Sequence, residues 1–178
     1  NDMADSLLSD EKIFLAAPEP ADLEQLFLWE NDTSLWNVGN AVAPYSHKQL
    51  WDYIETYEAD VFKSRQLKFI IKLNDTGEAV GEIDVFDFDP VNRHASIGVL
   101  IDSRSRNKGY ASRAVAILCR YCSEHIGMHS LLALTEQENS AAQSLFKKAG
   151  FSANGCLKSW IRRGDTYKDV VVLQRLFK

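Results

Sequence analysis

The sequence predicts an α/β (α+β) fold, a mixed central β-sheet flanked by helices. Three observations predict it. Short apolar stretches with strand alternation are interleaved with stretches whose apolar residues recur at helical spacing. Two pairs of strand-like stretches are joined by turn sequences, Asn74-Asp75-Thr76-Gly77 and Arg163-Gly164-Asp165, as in hairpins. Between them lies one strand–helix–strand unit, which makes a parallel pair with a right-handed crossover. Hairpins around a parallel unit give a mixed sheet.

Taken in chain order, the alternation in Lys12 to Ala17 reads as a first strand. Pro20 opens a helix with Leu23, Leu26 and Phe27 on one face, ending near Trp29 to Asn31. A loop runs through Pro44. Ser46 is a good N-cap for a second helix, with Leu50, Tyr53, Ile54 and Tyr57 as its buried stripe. Lys68 to Leu73 and Ala79 to Phe88 form the first hairpin, and His94 to Asp102 the next strand. A helix follows from about Gly109 to Ile126, with Ala111, Ala114, Val115, Leu118 and Cys122 at helical spacing. Leu131 to Thr135 is a strand. Ser140 to Ala149 is a short helix closed by Gly150, which suits the left-handed position after a helix. Leu157 to Arg162 and Tyr167 to Leu176 form the second hairpin.

The 178 residues hold no repeat and no linker, so residues 1–178 read as one domain. No run of about 18 apolar residues exists to span a membrane. The three cysteines are an odd number, which argues against a disulfide framework and for a reducing, cytoplasmic setting. The net charge of -5 argues against a nucleic-acid partner and for a cationic one. Cys119, Cys122, His125 and His129 could be taken for zinc ligands, but they do not complete one helix face. Cys119 and Cys122 read as core, and no metal is expected.

Against the acidic chain, Ser103 to Arg113 carries Arg104, Arg106, Lys108 and Arg113 and no acid. It lies between a strand and a helix. A helix N-terminus offers unpaired N–H groups, and Gly109 lets the backbone come close to a ligand. Together these make an anion site suited to phosphate.

Within this segment Arg106-Asn107-Lys108-Gly109-Tyr110-Ala111 resembles the [QR]-x-x-G-x-[GA] signature of the GNAT superfamily of N-acetyltransferases. Asn139 to Phe151 resembles the family's N-x-x-[SA]-x-x-[LF]-[YF]-x-K-x-G-F segment, in the expected order. Gly155 to Asp169 resembles the branch of ribosomal-protein alanine and spermidine or diamine acetyltransferases. The resemblance implies a GNAT-like fold with a splayed parallel strand pair. It also implies an N-acetyltransferase that uses acetyl-CoA as co-substrate.

By the same resemblance the pyrophosphate lies on Arg106, Asn107, Lys108, Gly109, Tyr110 and Ala111, with Arg104 beside them. The pantetheine arm pairs with Val99, Leu100 and Ile101, and Asn139 and Phe146 complete the cofactor site. Dimers are common in the family, so a homodimer is an expectation.

Acetyl transfer to an amine needs a polarised thioester carbonyl, a neutral amine and a proton for the departing thiolate. Backbone N–H groups near Val99 suit the first task. An alkyl amine of pKa ~10.4 is neutral in only roughly 1 in 2,500 molecules at pH 7, so a base is needed. The run Glu82, Asp84, Asp87 and Asp89 supplies acids, with Glu82 and Asp84 on one strand face. Asp84 is the candidate base, and Asp87, Trp36 and Tyr45 are candidate acceptor contacts. Many relatives donate the last proton from a tyrosine, but its position here is Phe146. Tyr167, Ser144 or water replaces it, and Tyr167 is the candidate. Likewise, Ser96 stands where spermidine acetyltransferases carry a glutamate. The expected acceptor is a small polyamine or diamine attacking directly in a ternary complex. The alternatives are a protein N-terminus or a non-catalytic acyl-CoA-binding sensor.

Overall fold

The computed structural model describes residues 7–32 and 43–178. A single seven-stranded sheet runs in the order β1-β2-β3-β4-β5-β7-β6. Its strands are β1 (Ile13–Ala16), β2 (Leu67–Leu73), β3 (Ala79–Asp89), β4 (His94–Ile101), β5 (Ser130–Glu136), β6 (Ser152–Arg163) and β7 (Thr166–Leu176). Only β4 and β5 pair in parallel; the other neighbours are antiparallel. The mixed sheet expected from the two hairpins and the crossover unit is therefore present.

The helices are α1 (Leu23–Glu30), α2 (His47–Glu55), α3 (Val61–Ser64), α4 (Tyr110–Tyr121) and α5 (Ser140–Lys148). A 3-10 turn, Pro20–Asp22, leads into α1. Ser46 caps α2: its hydroxyl accepts the Gln49 N–H at 3.0 Å, while the Gln49 side chain accepts the Ser46 N–H at 2.8 Å. Gly150 follows α5 with φ 93°, the left-handed position that Cβ disfavours.

Four features differ from the sequence expectation. The helix α2 ends at Glu55 with Thr56 as its C-cap, so Tyr57, expected on its buried stripe, lies past its end. Gly109, at φ 80°, is the N-cap, so α4 starts at Tyr110; its far end widens into a π turn over Cys122–Ile126. The single turn α3 is too short to show periodicity; Asp60 caps it and Arg65, with φ 65°, closes it. Finally, β6 begins at Ser152 rather than Leu157. Its first residues are exposed, so backbone pairing with β7 and not burial makes them a strand.

The sheet separates two cores. One packs α4 and α5 through Val115, Leu118, Cys119, Cys122 and Phe146 against Ile83, Val85, Ile97 and Leu131. The other joins Leu26 and Trp29 of α1 and Leu50 and Ile54 of α2 to Ile70 of β2, with Leu100 beside them. Strand alternation puts Ile83 and Val85 on the first side and Glu82 and Asp84 on the second.

Trp29 ties the second core to the end of β4. Its indole N–H donates to the buried Asp102 carboxylate at 3.0 Å. Burial favours a protonated Asp102, but the Trp29 and Arg104 hydrogen bonds outweigh it and hold the carboxyl below its ordinary value. Replacing Trp29 by Phe keeps an aromatic side chain, though a smaller one, and leaves Asp102 short of a donor. The expected cost is about 1–3 kcal/mol, readable from urea unfolding at neutral pH.

Candidate active site

Pairing between β4 and β5 covers only His94 to Ser96 against Ser130 to Leu132. Beyond Ser96 the strands part. On the β5 side, Ile97 to Ile101 therefore present backbone groups with no strand partner, and Val99, Leu100 and Ile101 fall in this stretch. Across the gap Thr135 is buried, and its hydroxyl has no hydrogen-bond partner. Sequence reading missed Thr135, because an orphaned hydroxyl has no sequence signature.

At the end of the gap the chain turns into α4. Asn107 and Gly109 both have positive φ, 62° and 80°. The segment's cations divide into two groups. Arg104 pairs with Asp102 at 3.3 Å, and Arg113 reaches Asp10 at 2.9 Å and Glu11 at 2.8 Å. The expected block of four unopposed cations is therefore corrected to two. Acids from the N-terminal region fold back on Arg113, a contact that sequence spacing does not reveal. Among the described residues, Arg106 and Lys108 have no carboxylate partner within 4 Å; both are exposed. Tyr110 and Ala111 form the first turn of α4, where backbone N–H groups are free.

Asn139 caps α5, its side-chain oxygen accepting the Ala142 N–H at 3.0 Å. Phe146 is 5% exposed and lies edge-on to Phe151 at 5.2 Å between ring centroids, within the α4–α5 core. Tyr167 is 58% exposed at the start of β7. With Gln137, Glu138, Lys168 and Asp169 it lines a shallow cavity of about 350 Å³ beyond the end of β5. Arg163 forms an ion pair with Glu136 at 2.9 Å and ties the hairpin turn to that strand end.

The acids lie on the other face of the sheet. Asp84 stands opposite Gly98 in the β3–β4 register, and its Oδ1 is 3.0 Å from where a Cβ on Gly98 would be. The carboxylate thus covers β4 inside the unpaired stretch. Burial raises the Asp84 pKa, with Lys68 opposing. Glu82, one pleat away, is pushed up to about 7 by burial and by the nearby acids Glu30 and Asp84, against the pull of Lys68. Asp87 is exposed at the irregularity between Phe86 and Asp89, with φ 52°. It therefore departs from the alternation that pairs Glu82 with Asp84. Tyr45 is exposed, its backbone held by both side-chain atoms of Asn31 at 2.7 and 2.9 Å. Trp36 lies outside the described residues.

The raised Glu82 pKa has a consequence for stability. Between its ordinary value and about 7 the folded chain binds more protons than the unfolded one. Stability is full below that window and falls as pH rises through it. Glu82→Gln is expected to flatten the fall in melting temperature between about pH 5 and pH 8.

Among the described residues no helix is long and apolar enough to cross a membrane. No group of three or more His, Cys, Asp or Glu converges among them either. The open strand edge, the orphaned Thr135 hydroxyl and the free N–H groups of α4 fit the elongated acyl-CoA that the sequence implies.

Comparison with known proteins agrees. The family model for the acetyltransferase (GNAT) domain matches residues 12–152. The N-acetyltransferase YoaA of Bacillus subtilis is 24% identical over 93% of this chain and 94% of its own length. Spermidine N(1)-acetyltransferase of Escherichia coli K12 is 24% identical over 66% of this chain and 62% of its own length. Among solved structures, spermidine N-acetyltransferase of Vibrio cholerae, in complex with CoA and spermine, superposes with a TM-score of 0.84. It is 18% identical, over 94% of this chain and 96% of that one.

Proposed function

Because the chain belongs to the GNAT acetyltransferase family, we propose that it transfers an acetyl group from acetyl-CoA to a primary amine of a small polyamine or diamine, by direct attack in a ternary complex. The observation that carries this reading is the Asp84 carboxylate lying over Gly98, beside the unpaired stretch of β4. Spermidine in the names of two relatives supports the acceptor class.

When bound, acetyl-CoA supplies the thioester acyl group. Val99, Leu100 and Ile101 offer the pantetheine arm a strand edge, with Asn139 beside the gap. Arg106, Lys108 and the backbone of Asn107, Gly109, Tyr110 and Ala111 receive the pyrophosphate. Arg104 is already engaged by Asp102, which offsets its charge. Phe146 acts from the core, as packing behind the gap.

Asp84 takes one proton from the incoming ammonium, and its raised pKa suits it to that task. The neutral nitrogen then forms its bond to the acyl carbon as the C–S bond breaks. Unpaired N–H groups of β4 steady the negative charge that develops on the acyl oxygen. The second amine proton leaves for the sulfur, and Tyr167 is the candidate carrier. Asp87 and Tyr45, both exposed, and Trp36 are candidate contacts for the rest of the acceptor.

Mass spectrometry of spermidine incubated with acetyl-CoA and the protein tests this. A monoacetylated product is expected. Tight acetyl-CoA binding without acetylation of any small amine would shift the reading to a protein N-terminus or a non-catalytic sensor.

A further inference from the structure

Three acids and one base meet on the acceptor face. Glu30 comes from α1, Lys68 from β2, Glu82 and Asp84 from β3. The Lys68 ammonium lies 3.3 Å from Glu30 Oε1 and 3.4 Å from Glu82 Oε1, with side-chain exposures of 19% for the lysine and 23% and 12% for its partners. In the β2–β3 register Lys68 is opposite Asp84, so the ammonium reaches diagonally towards Glu82. The lysine backbone is also fixed: the Tyr57 hydroxyl donates to its carbonyl at 2.9 Å and accepts its N–H at 3.1 Å.

Two acid positions are left open. Glu82 Oε2 is buried with no hydrogen-bond donor, and the neighbouring Glu30 carboxyl can bond to Glu82 only by sharing a retained proton. Among the described residues no cation lies within 4 Å of Asp84. With all four groups ionised, the cluster is short of positive charge by two. Buried charge of that kind is costly, so the cluster must retain a proton or take up a cation. The other groups facing it cannot supply one. Tyr53 of α2 has its phenol pushed up to about 12 by burial, Tyr57 is likewise raised, and β4 brings only Gly98 and Leu100. Burial opposes the Lys68 charge, but Glu82, Glu30 and Asp84 outweigh it and keep the ammonium protonated.

We propose that Lys68 is a positioning residue: clamped between Glu30 and Glu82, it fixes the charge of the acid cluster so that the site admits one ammonium group of the acceptor at Asp84 and the open oxygen of Glu82. The inference rests on the reading of the chain as an amine acetyltransferase. Its physical content is that the occupancy of the amine site and the ionisation of Glu82 are linked through Lys68. Without the lysine, the acids hold their protons to higher pH and the ammonium must displace a proton more often before it can bind. A lysine that only stabilised the fold would still lower the Glu82 midpoint by its charge, but it would leave the KM for the amine unmoved.

The test uses the full chain without acetyl-CoA. Carbon-13 NMR of side-chain carboxyls, with Glu82 assigned through Glu82→Gln, follows its titration in the wild type, Lys68→Met and Lys68→Arg. The wild-type midpoint is expected at about 7. It should fall when spermidine is added, rise by about one unit or more in Lys68→Met, and return in Lys68→Arg. In turnover at pH 7.5, a one-unit rise should raise the KM for spermidine about threefold in Lys68→Met, with kcat at alkaline pH within about 1.5-fold.

An ordinary carboxylate midpoint for Glu82, or one indifferent to Lys68→Met or to spermidine, overturns the proposal. If Lys68→Met does not fold, Glu30→Gln removes one side of the clamp, and the wild-type spermidine titration still decides. Should the wild type acetylate no small amine while spermidine still shifts Glu82, the acetyltransferase reading fails and the linkage stands. Absence of that shift sinks the linkage whatever the turnover.

Discussion

Asp84→Asn is expected to lower kcat/KM for the amine by about 10²–10⁴-fold, the usual effect of losing a positioned base, while acetyl-CoA affinity stays within about twofold. The substitution preserves size, so Gly98 still faces a planar group at the same place. What is lost is the ability to take the ammonium's proton. Because almost all of an alkyl amine is protonated at neutral pH, that loss acts on every turnover. The deficit should shrink as pH rises towards the amine's own pKa, since free amine then arrives without help. Steady-state rates from about pH 7 to pH 10, with isothermal calorimetry for acetyl-CoA, would check both halves. A variant equally slow at every pH would place Asp84 in binding rather than in proton transfer.

Gly81→Ala is the second large effect, and it acts through the backbone. Gly81 of β3 pairs with Ile101 of β4. A Cβ there would collide with the Leu100 carbonyl oxygen and come within 2.9 Å of Ile101 Cδ1 and 3.2 Å of its Cα. Main-chain atoms cannot yield as a flexible side chain would, so β4 must move. The expected cost is about 1–3 kcal/mol in urea unfolding, as for overpacking. The displaced residues belong to the unpaired stretch, so acetyl-CoA affinity should drop as well. Gly155→Ala is the control: its Cβ would meet nothing within 4 Å, and neither property should fall.

Both effects depend on contacts that differ in how visible they are in the sequence. The β2–β3 hairpin, the Ser46 and Asn139 caps and the Gly150 stop were legible because each is local: alternation, an oxygen three residues before an N–H, a glycine past a helix. The shared face of Glu82 and Asp84 was legible for the same reason. What was not legible is long-range. Arg113 meets Asp10 across 103 positions, and Trp29 meets Asp102 across 73. The ion pair of Lys68 with Glu30 depends on α1 packing over β2, which no spacing rule reports. The five-residue extension of β6 at its start was invisible because it is exposed, leaving no apolar alternation to see.

The central claim is direct transfer, with both partners held at one open strand edge. Initial rates of thiol release, measured against spermidine at several fixed acetyl-CoA concentrations, test it most directly. The account predicts that release requires spermidine and that the double-reciprocal lines intersect, as a ternary complex demands. Parallel lines, or a burst of free thiol without amine, would mean that the acetyl group first passes to the protein, and would contradict it.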